Sequence, residues 1–106
     1  MAGQYSKDIL PHEVREKLER GESVPIVDVR EQEEWESGHI PGARHIPLGT
    51  LNERHQELDT KQETIIVCRS GNRSGMACEF LESLGYNVVN MQGGMMSWDG
   101  KVEYGK

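Results

Sequence analysis

The chain has 106 residues and carries 12 Lys and Arg against 18 Asp and Glu, a formal net charge of −6. That length fits one domain, and the acidic balance argues against broad binding to nucleic acid or an anionic membrane. No apolar run approaches the roughly 18 residues of a membrane-spanning helix. With only Cys68 and Cys78, no disulfide framework is indicated. The opening Met1-Ala2-Gly3-Gln4-Tyr5 lacks the basic and then apolar pattern of a secretory signal. A reducing cytoplasmic setting is therefore expected, where a free thiol persists.

Pro11 to Arg20 carries Val14 and Leu18 at i, i+4 spacing among charges, and Gly21 follows. Pro at the start and Gly past the end predict a short amphipathic helix. Val24 to Val29 is a compact apolar run with Asp28 near its end, the pattern of a buried strand. Glu31 to Glu36 is acidic and favours helix, stopped by Gly38. His39-Ile40-Pro41-Gly42-Ala43 predicts a turn, and Arg44-His45-Ile46 a short strand before Pro47. Leu48, Leu51 and Leu58 suggest one or two small helices through residue 58. Thr64 to Val67 is a second buried strand. From Arg73 to Leu84, Ala77, Phe80, Leu81 and Leu84 share one helical face, with Gly85 as the stop. Asn87 to Met91 is a third strand, Gln92-Gly93-Gly94 a turn, and Met95 to Trp98 a final helical turn. The tail from Asp99 to Lys106 is expected to be loosely held. Strands alternating with helices imply a parallel sheet covered on both faces, with ligands beyond the carboxyl ends of its strands.

Cys68 falls at such an end, in Ile65-Ile66-Val67-Cys68-Arg69-Ser70-Gly71-Asn72-Arg73-Ser74. A strand cysteine alone reads as a small core hydrophobe. The loop after Cys68 changes that reading. Gly71 permits positive φ and Asn72 tolerates it better than most residues, so successive N–H groups can curl toward one point at a helix N-terminus. Such a ring attracts anions and favours thiolate over thiol. Arg69 and Arg73 add positive charge, and Ser74 can cap the helix or donate to the sulfur. Cysteine-dependent phosphatases use a C-x₅-R loop. Here four residues separate Cys68 from Arg73, a tighter cradle that suits one terminal sulfur atom better than a phosphoryl group.

Three segments in order resemble the single-domain rhodaneses, a sulfurtransferase family. They are Asp28-Val29-Arg30-Glu31 with Glu34-Trp35 and Gly38-His39-Ile40-Pro41-Gly42-Ala43; Cys68 to Ser74; and Gly93-Gly94 with Trp98. The resemblance spans about Tyr5 to Trp98. It implies a three-layer α/β/α fold with a mainly parallel sheet of about five strands, as one domain over residues 1–106 with its core at about 5–98. It also implies covalent catalysis. Cys68 takes the outer sulfur of a donor such as thiosulfate as a persulfide, and a thiol or cyanide then removes it. Arg69, Ser70, Gly71, Asn72, Arg73 and Ser74 bind the substrate, the two arginines holding its oxyanion end. No cofactor or metal is implied. The partners are a small sulfur donor and acceptor, with a sulfur-carrier protein or a desulfurase as further candidates. The competing readings are a non-catalytic or regulatory module on the same fold, and a phosphatase or arsenate reductase.

Asp28 is expected to fix neighbouring loops, Arg30 to pair with Glu33 or Glu34 near the surface, and His39 to bond architecturally. Cys78, Trp35 and Trp98 read as packing residues. His12, His39, His45 and His55 show no compact metal spacing.

Overall fold

The computed structural model describes residues 5–106. Met1–Gln4, most of the segment inspected for a secretory signal, lies outside the described residues. Five short strands form one sheet: β1 (Asp8–Ile9), β2 (Ile26–Asp28), β3 (Arg44–His45), β4 (Thr64–Val67) and β5 (Val88–Met91). Their order is β1-β5-β4-β2-β3, and every neighbouring pair is parallel. The helices are α1 (Pro11–Glu19), α2 (Gln32–Glu36), α3 (Leu51–Arg54) and α4 (Asn72–Ser83), with 3₁₀ turns at Leu48–Thr50, His55–Glu57 and Gly94–Ser97.

All four residues of β4 are buried, as a central parallel strand covered on both faces requires. Alternation divides them between two cores. Ile65 and Val67 join Ile26, Val89, Met91 and the α1 residue Val14. Ile66 and Cys68 join Val27, Val29, Leu51 and the α4 residues Ala77, Cys78 and Leu81. The result is the three-layer α/β/α architecture. Strand order reverses between β4 and β2. Crevices beyond the carboxyl ends at such a reversal are where open α/β sheets bind ligands, and Cys68 directly follows β4.

Two findings depart from the sequence expectations. β1 precedes the first predicted element and pairs Asp8 with Asn90 and Ile9 with Met91. Two residues at a sheet edge are too few to show a period. The tail is also tied down rather than loose. Glu103 and His39 exchange backbone hydrogen bonds of 2.8 and 2.9 Å, and Gly105 N–H donates to Glu36 O at 2.9 Å. These bonds come from the main chain, so the polar composition of residues 99–106 gives no sign of them.

Candidate active site

Cys68 leaves β4 with its side chain on the α4 face, fully buried. The chain then turns sharply into α4. Gly71 caps that helix at φ +104, a conformation that strains an L side chain. Its N–H donates to Cys68 Sγ at 3.0 Å, and Ser74 Oγ lies 3.2 Å from the same sulfur. Asn72 is the first residue of α4, in the right-handed region. Among the described residues only glycines have positive φ, so the expected contribution of Asn72 to the curl falls to Gly71 alone.

The outer side of this loop is closed by the Gly94–Ser97 turn. Met95 N–H donates to Cys68 O at 2.8 Å and Met96 N–H to Arg69 O at 2.9 Å. Gly94 sits so close that a Cβ there would lie 2.4 Å from Cys68 O and 2.5 Å from Arg69 C. That contact explains the need for glycine. A cavity of about 210 Å³ opens beside the loop, lined by Arg30, Glu34, Ser37, Arg69, Met95 and Met96.

The two loop arginines are placed differently. Arg73 Nη1 and Nη2 donate to Glu34 Oε1 and Oε2 at 2.7 and 2.8 Å, a two-pronged pair that ties α4 to α2. The hydrogen bonds from Arg73 hold the Glu34 carboxyl down to about 2. Arg69, Ser70 and Asn72 are exposed, whereas Gly71 and Ser74 are buried. Among the described residues Arg69 makes no side-chain hydrogen bond or ion pair. Arg30 does not pair with Glu33 or Glu34. It is buried, binds the Asp28 carboxylate through Nε at 3.0 Å and Nη2 at 2.8 Å, and reaches Gly38 O at 2.8 Å. A guanidinium drawn into the interior takes the buried carboxylate at the end of β2, two residues earlier in the chain. Asp28 thereby fixes the turn before β3, as expected of it.

The model of the Rhodanese-like domain family matches residues 10–101. The chain belongs to that family. YtwF of Bacillus subtilis (strain 168), provisionally named a sulfurtransferase, is 41% identical over 97 residues, 92% of this chain and 94% of that protein. YrkF of the same strain, provisionally named a sulfur carrier protein, is 46% identical over 90 residues, 84% of this chain and 49% of YrkF. The crystal structure of a rhodanese-like domain protein from Staphylococcus aureus superposes with a TM-score of 0.89 at 36% identity, covering 95% of this chain and 100% of that one.

In this rhodanese-like domain the second cysteine stands apart from the loop. Cys78 is packed on the core face of α4, where burial pushes its thiol up to about 12. His39 Nδ1 lies 2.7 Å from Trp35 O. Its ring stacks on Trp35 with centroids 3.5 Å apart, and His45 also stacks on Trp35, at 4.9 Å. These contacts are architectural. The residues missed by the sequence reading are Asn90 and Tyr5. Asn90 is a buried amide within the otherwise apolar run Val88–Met91, and that lone polar side chain was the available signal.

Proposed function

We propose that this rhodanese-like protein moves sulfane sulfur from a donor such as thiosulfate to a thiol or cyanide through a persulfide on Cys68. The observation that carries the reading is the pair of donors on one sulfur at a strand's carboxyl end: Gly71 N–H at 3.0 Å and Ser74 Oγ at 3.2 Å. Cys68 attacks as the thiolate. A new S–S bond forms to the outer sulfur of thiosulfate, the donor's own S–S bond breaks, and sulfite leaves with the electron pair. Cyanide then takes the terminal sulfur and leaves as thiocyanate, which returns the Cys68 thiolate. No general base is needed once the sulfur is ionised, and the Gly71 N–H together with the Ser74 hydroxyl, turned toward the sulfur, stabilises the anion.

Arg69, exposed and unpaired among the described residues, is the group that meets the donor's anionic end, since Arg73 is engaged by Glu34. The sulfur of a carrier protein or of a desulfurase suits the same entrance, and a reducing cytoplasm keeps Cys68 available. One observation favours a non-catalytic or regulatory binding module instead: Cys68 has no exposed area. Sulfur transfer therefore requires the loop to open or side chains beside it to move.

The test is intact-mass analysis after incubation with thiosulfate, together with thiocyanate formation from thiosulfate and cyanide. Wild type gains one sulfur atom, Cys68→Ser gains none and is inactive, and Cys78→Ser retains most activity. A folded Cys78→Ser protein as inactive as Cys68→Ser would refute the single-cysteine mechanism. Efficient hydrolysis of p-nitrophenyl phosphate, lost in Cys68→Ser, would favour the phosphatase reading.

A further inference from the structure

Asn90 lies behind the Cys68 loop and has no part in the chemistry above. It is 1% exposed, and both ends of its carboxamide are hydrogen-bonded. Oδ1 accepts from Ser74 Oγ at 2.5 Å. Nδ2 donates to Tyr5 Oη at 2.9 Å and to Gly71 O at 3.2 Å. A carbonyl only accepts, so the Gly71 contact decides which end of the amide faces the loop. Oδ1 therefore faces Ser74. Both donors to the sulfur, the Gly71 backbone and the Ser74 hydroxyl, are held by this one side chain.

The Ser74 hydroxyl has a single proton and two acceptors in reach, Asn90 Oδ1 and Cys68 Sγ. With Cys68 as the thiol, S–H donates to Ser74 Oγ and Ser74 O–H donates to Asn90, so the chain is complete. With an anionic sulfur, the proton on Ser74 must turn to the sulfur, and Asn90 Oδ1 loses its partner in a buried site. The direction of the Ser74 proton thus follows the charge of the sulfur, while Asn90 keeps Ser74 Oγ and the Gly71 backbone in place beside it.

We infer that Asn90 is a positioning residue for sulfur transfer, acting through Ser74 and Gly71 on the hydrogen bonds that Cys68 Sγ receives. The inference rests on the reading of Cys68 as the sulfur-carrying group. Tyr5 secures the far side of the amide, which makes the segment before β1 a support of the site. Asn90 touches neither donor nor acceptor, so its effect belongs in kcat rather than in KM.

The experiment compares Asn90→Leu, Ser74→Ala and the double variant in thiosulfate:cyanide transfer, with folding followed by circular dichroism. Each single variant is expected to lose about tenfold in kcat with KM for thiosulfate within about twofold of wild type. The double variant should fall within about threefold of the worse single variant, because Asn90 acts largely through Ser74. A purely structural asparagine would instead give multiplying losses in the double variant, and that result, or wild-type kcat in Asn90→Leu, overturns the inference. If Asn90→Leu does not fold, the near-isosteric Asn90→Asp and Tyr5→Phe carry the same comparison. Intact-mass analysis of wild type keeps the two claims apart: a wild type that never gains sulfur defeats the proposed function, whereas a loading wild type with unaffected Asn90 variants defeats only this inference.

Discussion

Cys68 and Cys78 are both fully buried, yet among the described residues only Cys68 has hydrogen-bond donors on its sulfur. Their difference lies in what surrounds the thiol. The same holds for the arginines: among the described residues Arg69 lines the cavity without a partner, while Arg73 is held by Glu34. That ion pair gives a pH prediction. Glu34 sits at about 2 in the folded protein against an ordinary value of 4.5. A carboxyl held low stabilises the fold above its unfolded value, and the contribution is lost as pH falls from about 4.5 to about 2. Partial exposure of both side chains limits it to the order of 1 kcal/mol. Glu34→Gln should therefore be less stable than wild type at pH 7 by about that amount, with the gap closing toward pH 2. Urea denaturation of both proteins across this range checks it, and a gap that persists at the acid end counts against the pair. At this scale the sequence singled out Cys68 as the candidate nucleophile but not the partners of the side chains around it. Arg73 and Glu34 are 39 positions apart, so only the tertiary fold could bring them together.

At the scale of elements, the site is a clamp made by two turns. The Cys68–Gly71 loop lies between α4, which it starts, and the Gly94–Ser97 turn, whose N–H groups hold the Cys68 and Arg69 carbonyls. Gly94 has φ +58 and no room for a Cβ against that backbone, whereas Gly85 has φ +93 and open space around it. Gly94→Ala should displace the loop and reduce sulfur transfer by more than about tenfold. Gly85→Ala should cost only the backbone strain, about 1 kcal/mol, and leave kcat/KM unchanged. Thermal denaturation and steady-state kinetics separate the two, and equal kinetic effects would show that the clamp is not what needs Gly94. The long elements were legible: Thr64 to Val67 is a continuous β-branched run, and α4 buries Ala77 and Leu81 of its expected stripe and ends before Gly85, although Leu84 lies past its end and is exposed. The pair Gly93-Gly94 was legible as a turn, but its grip on a loop more than 20 residues earlier in the chain was not, because close backbone approach leaves no periodic signature. The two-residue strand β1 was invisible for the same want of pattern.

For the whole molecule, the alternation of strands and helices was enough to predict a parallel sheet covered on both faces, and Cys68 stands at the reversal in strand order where that architecture places ligands. The closure of the chain was misread. Composition alone suggested a loose tail, yet the backbone of Glu103 pairs with His39 and that of Gly105 with Glu36. His39 in turn stacks on Trp35 at the turn that Arg30 holds through Gly38. The tail therefore buttresses the side of the domain that carries α2. Deleting Val102–Lys106 removes three main-chain hydrogen bonds. At roughly 0.5–1.5 kcal/mol each, partly offset by the entropy returned to five residues, the loss should be about 1–2 kcal/mol. For a domain of this size that lowers Tm by roughly 5 °C or more. Among the described residues none of the deleted residues hydrogen-bonds to the Cys68 loop, so intact-mass analysis should still find sulfur loaded on Cys68 by thiosulfate at room temperature. A deletion variant with the Tm of wild type would mean that the tail is as loosely held as its composition suggests. A variant that keeps its fold but no longer loads sulfur would mean instead that the tail supports the loop through α2 and the Glu34–Arg73 pair.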